Sequence, residues 1–419
     1  MLRQIRKLDS FSKNIVIVFA GIALVHLFNL LYQLLIAHKL STPDFAAFNS
    51  LLSIFMVISV PLSTIGTAVA KYSAEFNARN QVNKIRFLLS DLLKKTSLLA
   101  LFTFFIFWLA SPYIINTLRI PTVYGRYIFP LLIASAWISP VFSGAVQGLE
   151  LFRWLTAASV ITGGLKLALA FLLILFGFNI ASALGALLAS ILIGLVIYYA
   201  PVRHFISLKS ARQDIEYKEM LSYLFPVAIS NFCFIALVNL DMVVVKYFFT
   251  GFDSGLYSLA HMVGKIFLFL PAAISIVLFP RTSGLKAQNL GTFSTLKKSL
   301  FYVFGLCICA ALIYNLFPAF ILKLLTGKAY PESISLGRLF SISMSFFSVL
   351  YILIFYLLSI KDLRFVKYLV GFTFLQFLTI SLLHQSLAQV QLVLCVNAIL
   401  LFSIHLGLAY KECRVKQEA

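Results

Sequence analysis

Three ionisable side chains stand where hydropathy places bare hydrocarbon. Asp241, His261 and Lys265 lie in the stretch Asn239–Arg281, NLDMVVVKYFFTGFDSGLYSLAHMVGKIFLFLPAAISIVLFPR. Charge at the centre of a bilayer costs roughly 2.5 to 3.5 kcal/mol per residue even on lenient insertion scales, so it marks a candidate for function. His261 and Lys265 are four apart and share one helical face. The turn at 250–253 places Asp241 level with His261, and Lys265 one turn deeper. A buried carboxylate with cationic neighbours can exchange a proton as its surroundings change, which makes Asp241 and His261 candidates for ion coupling. A static Asp241–Lys265 ion pair is the alternative, and both readings are open. Lys166, in ITGGLKLALA, has no acidic residue in its own apolar run. A lone ammonium beside two glycines faces water or an anionic ligand, unless it snorkels to the interface. His26, Asn29 and Gln33 recur at i, i+3 and i+7 on one helix face. They form either a polar stripe along a cavity or glue between packed helices.

The elements that hold these residues are membrane spans. Of 419 residues, 61% are hydrophobic and 11% charged, which excludes a soluble domain with an ordinary polar surface. The formal charge of +20 is spread over short stretches between apolar runs, so it points to lipid headgroups and not to nucleic acid. Five cysteines show neither a disulfide framework nor metal-ligand spacing. Runs of about 20 apolar residues predict twelve helices at 14–36, 45–70, 96–116, 127–148, 155–176, 180–200, 222–248, 254–279, 299–319, 335–359, 365–385 and 388–410. The basic start, MLRQIRKLDSFSK, leads into a run too long for a signal peptide and is read as part of a retained first span. Of the 34 Lys and Arg, 25 fall on the side that holds both termini and seven on the other, with Lys166 and Lys265 inside spans. That bias predicts cytoplasmic termini, and an even number of spans agrees. The non-apolar connections near 71–95, 201–221 and 280–298 are too short for a folded catalytic domain. Pro61, Pro226 and Pro271 are expected kinks.

The chain is also repeated. An offset of 210 residues pairs Asn29 with Asn239, Pro61 with Pro271 and Lys71 with Arg281, and an offset of 209 pairs Asp44 with Asp253 and Phe48 with Tyr257. Half the chain length separates the copies, so the expected architecture is all-α, with two pseudo-symmetric six-helix bundles. They occupy residues 1–200 and 219–419, joined by a cytoplasmic linker at 201–218. In the 210 register Leu31 stands where Asp241 does and Phe55 where Lys265 does, so the charges belong to one copy only.

Three stretches, LLYQLLIAHKLSTPDFAAFNSLLSIFMVISVPLSTIGTAVAKYSAEF (31–76), QGLELFRW (147–154) and GLYSLAHMVGKIFLFLPAAISIVLFPR (255–281), resemble the Wzx-type oligosaccharide flippases. These belong to the multidrug/oligosaccharidyl-lipid/polysaccharide exporter superfamily. The resemblance implies a V of two six-helix bundles around a cavity, alternating access, and export of an undecaprenyl-pyrophosphate-linked glycan for surface polysaccharide assembly. It implies a transporter in a bacterial or archaeal inner membrane and no enzyme. Its partners are the polyprenyl-pyrophosphate-linked oligosaccharide, membrane lipids, a polysaccharide polymerase and glycosyltransferases. No cofactor is expected, with H+ or Na+ coupling open. In this setting Lys166 and Lys265 are candidates to hold the pyrophosphate, and His26, Asn29 and Gln33 to bond sugar hydroxyls. Lys71 and Arg281 are candidates to guide the headgroup from the cytoplasm, with plain topology signalling the stronger reading of both. An ion-coupled drug antiporter of the same fold and a membrane-embedded glycan polymerase or ligase are the rivals. The first calls for more acid in the first bundle, the second for a large outer loop.

Overall fold

The computed structural model describes residues 10–120, 125–177, 179–206, 217–269 and 291–415, with four single positions between 270 and 290. Every regular element among them is helical. In order these are α1 (Ser10–Lys39), α2 (Thr42–Ala78), α3 (Val82–Thr117), α4 (Gly125–Gly148), α5 (Phe152–Leu175) and α6 (Asn179–Val202). There follow α7 (Tyr217–Leu237), α8 (Leu240–Phe248), α9 (Gly251–Phe269), α10 (Phe293–Leu316), α11 (Pro318–Thr326), α12 (Pro331–Ser359), α13 (Phe365–Leu382) and α14 (Leu387–Val415). Among the described residues eleven spans, with α7 and α8 forming one, are long and apolar enough to cross a membrane. The expected span 254–279 coincides with α9, whose described part ends at Phe269; Pro271 and Arg281 lie outside the described residues.

Two helices overrun their expected spans. α2 and α3 contain 37 and 36 residues, or about 55 Å each at 1.5 Å per residue, against a hydrocarbon core of about 30 Å. The connection expected at 71–95 is therefore mostly helix, turning only at Arg79–Gln81, where Asn80 has a φ of 54°. Ion pairs on the helix surfaces, Arg79 to Glu75 at 2.9 Å and Lys95 to Asp91 at 2.7 Å, suit a stretch that has left hydrocarbon.

The chain forms two compact units, residues 1–40 with 58–224, and 41–57 with 225–419. In this division Ser41–Val57, nearly all of it the first part of α2, falls in the second unit, and 201–224 falls in the first. In the first unit α1 packs on α5, α5 and α4 on α6, and α3 on α4. Val69, Ile85, Leu88, Val141 and Ala145 form part of its core. α2 and α4 approach through small residues, because a Cβ on Gly144 would strike the carbonyl of Gly66 and one on Gly148 that of Ala70. In the second unit α9 packs on α12, and α12 on α14. Hydroxyls stitch these helices together: Ser333 donates to Leu256 O at 2.9 Å and Ser348 to Phe267 O at 2.6 Å.

The repeat is visible within the second unit. Ser41 donates to the Asp44 carboxylate at 2.7 Å and Thr250 to that of Asp253 at 2.7 Å. Each acid's own N–H returns to its partner's hydroxyl, closing equivalent N-terminal caps 209 residues apart. Asn49 and Ser258, also 209 apart, are hydrogen-bonded to each other at 2.8 Å. The ends of α1 and α8 and the starts of α2 and α9 keep the same offset. The 209 register thus aligns Asp241 with Tyr32 and Lys265 with Met56, which corrects the 210 alignment to Leu31 and Phe55. The reason is the caps: they fix where each helix begins.

The copies differ in where their helices are continuous: α3 is unbroken where α10 and α11 part at Phe317, and a second difference lies at α1. α1 is continuous, whereas its counterpart breaks between Leu237 and Leu240, at no proline. Pro226 lies earlier, inside α7. Asn239 precedes α8 as its cap, and Asp241 lies in the first turn of α8.

Candidate functional site

In the first unit α5 carries Lys166 into a cavity of about 290 Å³ between α1, α4, α5 and α6. The Lys166 ammonium donates to Asn29 Oδ1 and lies 4.7 Å from the centroid of the Tyr32 ring. Tyr32 is fixed in turn by donating its hydroxyl to Ala183 O at 2.8 Å. Ser139, Ser159, Thr162, Ser190 and Tyr198 line it together with the apolar Val25, Leu187 and Ile191, and no carboxylate is among the lining residues. Ser159 and Tyr198 are hydrogen-bonded at 2.8 Å across the α5–α6 contact. An ammonium with no carboxylate beside it suits an anion by its chemistry, while Ser159, Thr162 and Ser190 donate their hydroxyls to carbonyls of their own helices.

The expected stripe on α1 divides. Asn29 lines this cavity; His26 and Gln33 do not. At 100° per residue they project about 60° and 40° further round the helix than Asn29. His26 is exposed and Gln33 half-buried. Lys71 is exposed, its ammonium 5.4 Å from the ring centroid of Tyr72.

In the second unit the helix break organises the polar side chains. A break inside hydrocarbon frees carbonyls that need donors. Gln376, from α13, donates to Leu237 O at 2.7 Å, and Asn397, from α14, donates to Gln376 Oε1 at 2.6 Å. His261 Nε2 lies 3.1 Å from Val238 O. Since a carbonyl only accepts, the ring is the tautomer that donates there. Asp241 is fully buried and accepts from the Tyr257 hydroxyl at 2.7 Å through Oδ2, while its Oδ1 and the Oδ1 of Asn239 have no hydrogen-bond partner among the described residues. The network continues from Tyr257 to Gln391, which donates to Ser343 at 2.7 Å.

This geometry revises two expectations. Asp241 is met by Tyr257, one turn before His261, because the break resets the level of α8 against α9. Asp241 and Lys265 make no ion pair within 4.0 Å; the described contact of the Lys265 ammonium is Asn49 Oδ1, at 3.5 Å. Asn49 comes from the part of α2 that packs in this unit and also donates to Phe45 O at 3.0 Å. The static-pair alternative is therefore not the arrangement present. Sequence reading gave no site role to Tyr257, Gln391 and Asn49, and expected Gln376, with Asn397, in packing or at the interface. Phe48 and Tyr257 are aligned by the repeat, so a polar hydroxyl replacing a phenyl was the available signal for Tyr257. Nothing local marks the others.

Known structures share this architecture. An inward-facing multidrug transporter of the MATE family, in the MOP superfamily, matches 94% of this chain and 96% of its own, with a TM-score of 0.74 at 14% identity. The lipid II flippase MurJ matches 94% of this chain and 87% of its own, at 0.71 and 13%. A MOP superfamily transporter from Pyrococcus furiosus, described by a reversed polarity of its binding pocket, matches 96% and 95%, at 0.63 and 16%. The chain thus has the fold of these transporters, and its eleven apolar spans among the described residues make it a multi-pass membrane protein. Residues 11–286, more than half of its length, match the model of the polysaccharide biosynthesis protein family, and the chain belongs to that family. An uncharacterised membrane protein of Methanocaldococcus jannaschii is 24% identical over 333 residues, covering 76% of this chain and 77% of that protein.

Proposed function

We propose that this transporter is a flippase for a polyprenyl-pyrophosphate-linked oligosaccharide, such as an undecaprenyl-linked glycan, and works by alternating access. It would serve surface polysaccharide assembly in the cytoplasmic membrane of a bacterium or archaeon, beside glycosyltransferases and a polysaccharide polymerase. The observation that carries the reading is the Lys166 cavity, which has one cation, five hydroxyl-bearing residues and no carboxylate in its lining. A cation exporter calls for the opposite polarity. A pyrophosphate is neutralised and hydrogen-bonded by the groups present, and Asn29 holds the ammonium in place meanwhile. Lys265 is the candidate for a second cation. Asp241, buried with one bare oxygen, is the candidate for coupling to H+ or Na+. The family membership and a lipid II flippase of the same fold support the substrate class.

The test is Lys166→Ala in cells that lack the native gene. Surface glycan should disappear while the protein still reaches the membrane, and Lys166→Arg should restore part of it. Normal glycan from Lys166→Ala overturns the reading.

A further inference from the structure

A cavity of about 290 Å³ lies at the lower end of the range for small-molecule sites, roughly 300 to 1,000 Å³. It has room for a headgroup and none for a prenyl chain. On the opposite face of the α1–α5 pair runs a groove of about 570 Å³. Leu31, Leu34, Leu35 and His38 of α1 and Leu167, Ala168 and Phe171 of α5 line it, a surface of hydrocarbon apart from the His38 ring. Helical periodicity puts groove and cavity about 150° apart around α1 and about 140° apart around α5. Only the contact between these two helices separates them.

That contact is thin at one point. On α5, Gly163 lines the cavity and Gly164, the next residue, lines the groove. Neither has a side chain to close the wall. The Phe28 ring closes it instead: its atoms come within 3.4 Å of where a Cβ would stand on either glycine. Phe28 projects from α1 midway between the two faces.

The geometry points to a site for an amphiphile that straddles this wall, with its phosphate head at Lys166 and its isoprenoid chain in the outer groove. The Gly163–Gly164 window is the passage, and the Phe28 ring is the plug that turns aside to admit the chain. The site deepens the flippase reading and rests on it. Charge complementarity selects the head, the largely hydrocarbon lining selects the tail, and the adjacent glycines join the two. An ordinary bilayer chain in the groove needs no phosphate at Lys166, so dependence on the head distinguishes the two occupants.

The experiment measures binding of inorganic pyrophosphate, geranylgeranyl pyrophosphate and geranylgeraniol to the full-length protein in nanodiscs. The wild-type protein should bind geranylgeranyl pyrophosphate at least tenfold more tightly than pyrophosphate, and geranylgeraniol weakly. Ala168→Trp, at an exposed position, fills the groove and should erase most of that tenfold preference. Phe28→Ala should speed association of the prenyl ligand relative to pyrophosphate. Equal affinity for the two phosphates, or a preference untouched by Ala168→Trp, overturns the straddling site and leaves the headgroup site standing. Geranylgeraniol binding as tightly as its pyrophosphate assigns the groove to bulk lipid and also overturns it. Pyrophosphate binding that is absent, or unchanged in Lys166→Ala, removes the headgroup reading and the straddling site with it.

Discussion

Lys166 is the residue on which substrate recognition turns. An ammonium that hydrogen-bonds a phosphate is worth about 1.5 to 3 kcal/mol. Lys166→Ala should therefore weaken binding of the pyrophosphate-bearing substrate about 10- to 100-fold, as titration of the purified protein will show. Asp241 makes a different prediction. Asparagine can still accept from Tyr257 but cannot carry the charge, so Asp241→Asn should preserve folding and remove the pH-gradient dependence of transport in proteoliposomes. Unchanged dependence would remove Asp241 from the coupling mechanism. Sequence singled out both residues because an intramembrane charge is costly wherever it occurs. It did not supply their partners. Asn29 is 137 positions from Lys166, and Asn49 is 216 from Lys265. Contacts across such separations follow from packing and leave no local mark.

At the scale of elements the break between α7 and α8 is the distinguishing feature. Its freed carbonyls are met by His261 from α9 and Gln376 from α13, so three helices are fastened at one level. Gln376→Leu leaves Leu237 O and the Asn397 amide without these partners, an expected cost of about 1 to 3 kcal/mol. The thermal midpoint in detergent should fall measurably, whereas Ser403→Ala, at an exposed position of α14, should leave it unchanged. A Gln376→Leu midpoint equal to wild type shows that the break does not depend on this bond. Proline is the usual sequence sign of a kink, and here the break occurs without one. Hydropathy did not show it, since Asn239 and Asp241 stand singly in an apolar run that still averages as one span. Helix positions were legible for the converse reason: about 20 apolar residues are required to cross hydrocarbon, whatever the tertiary context. The lengths of α2 and α3 were not, because a helix that leaves the membrane can continue with charged residues on its surface.

For the whole molecule, the Lys and Arg bias predicts cytoplasmic termini. A maleimide that cannot cross the membrane should leave Cys413 unlabelled in intact cells and label it after lysis; labelling of intact cells reverses the topology. The repeat was present in the sequence as offsets of 209 and 210, and the paired caps at Ser41–Asp44 and Thr250–Asp253 decided for 209. That the first part of α2 packs with the second unit could not be read from the chain order. The sequence by itself determined the environment, the number and order of spans, and the sites of costly charge, because each follows from transfer of side chains between water and hydrocarbon. Tertiary structure alone decided which polar atoms meet: Lys166 with Asn29, Asp241 with Tyr257, Gln376 with the break. Inside a membrane every helix face is similarly apolar, so hydropathy cannot say which faces touch. Close packing and the need to satisfy each buried polar atom make that choice.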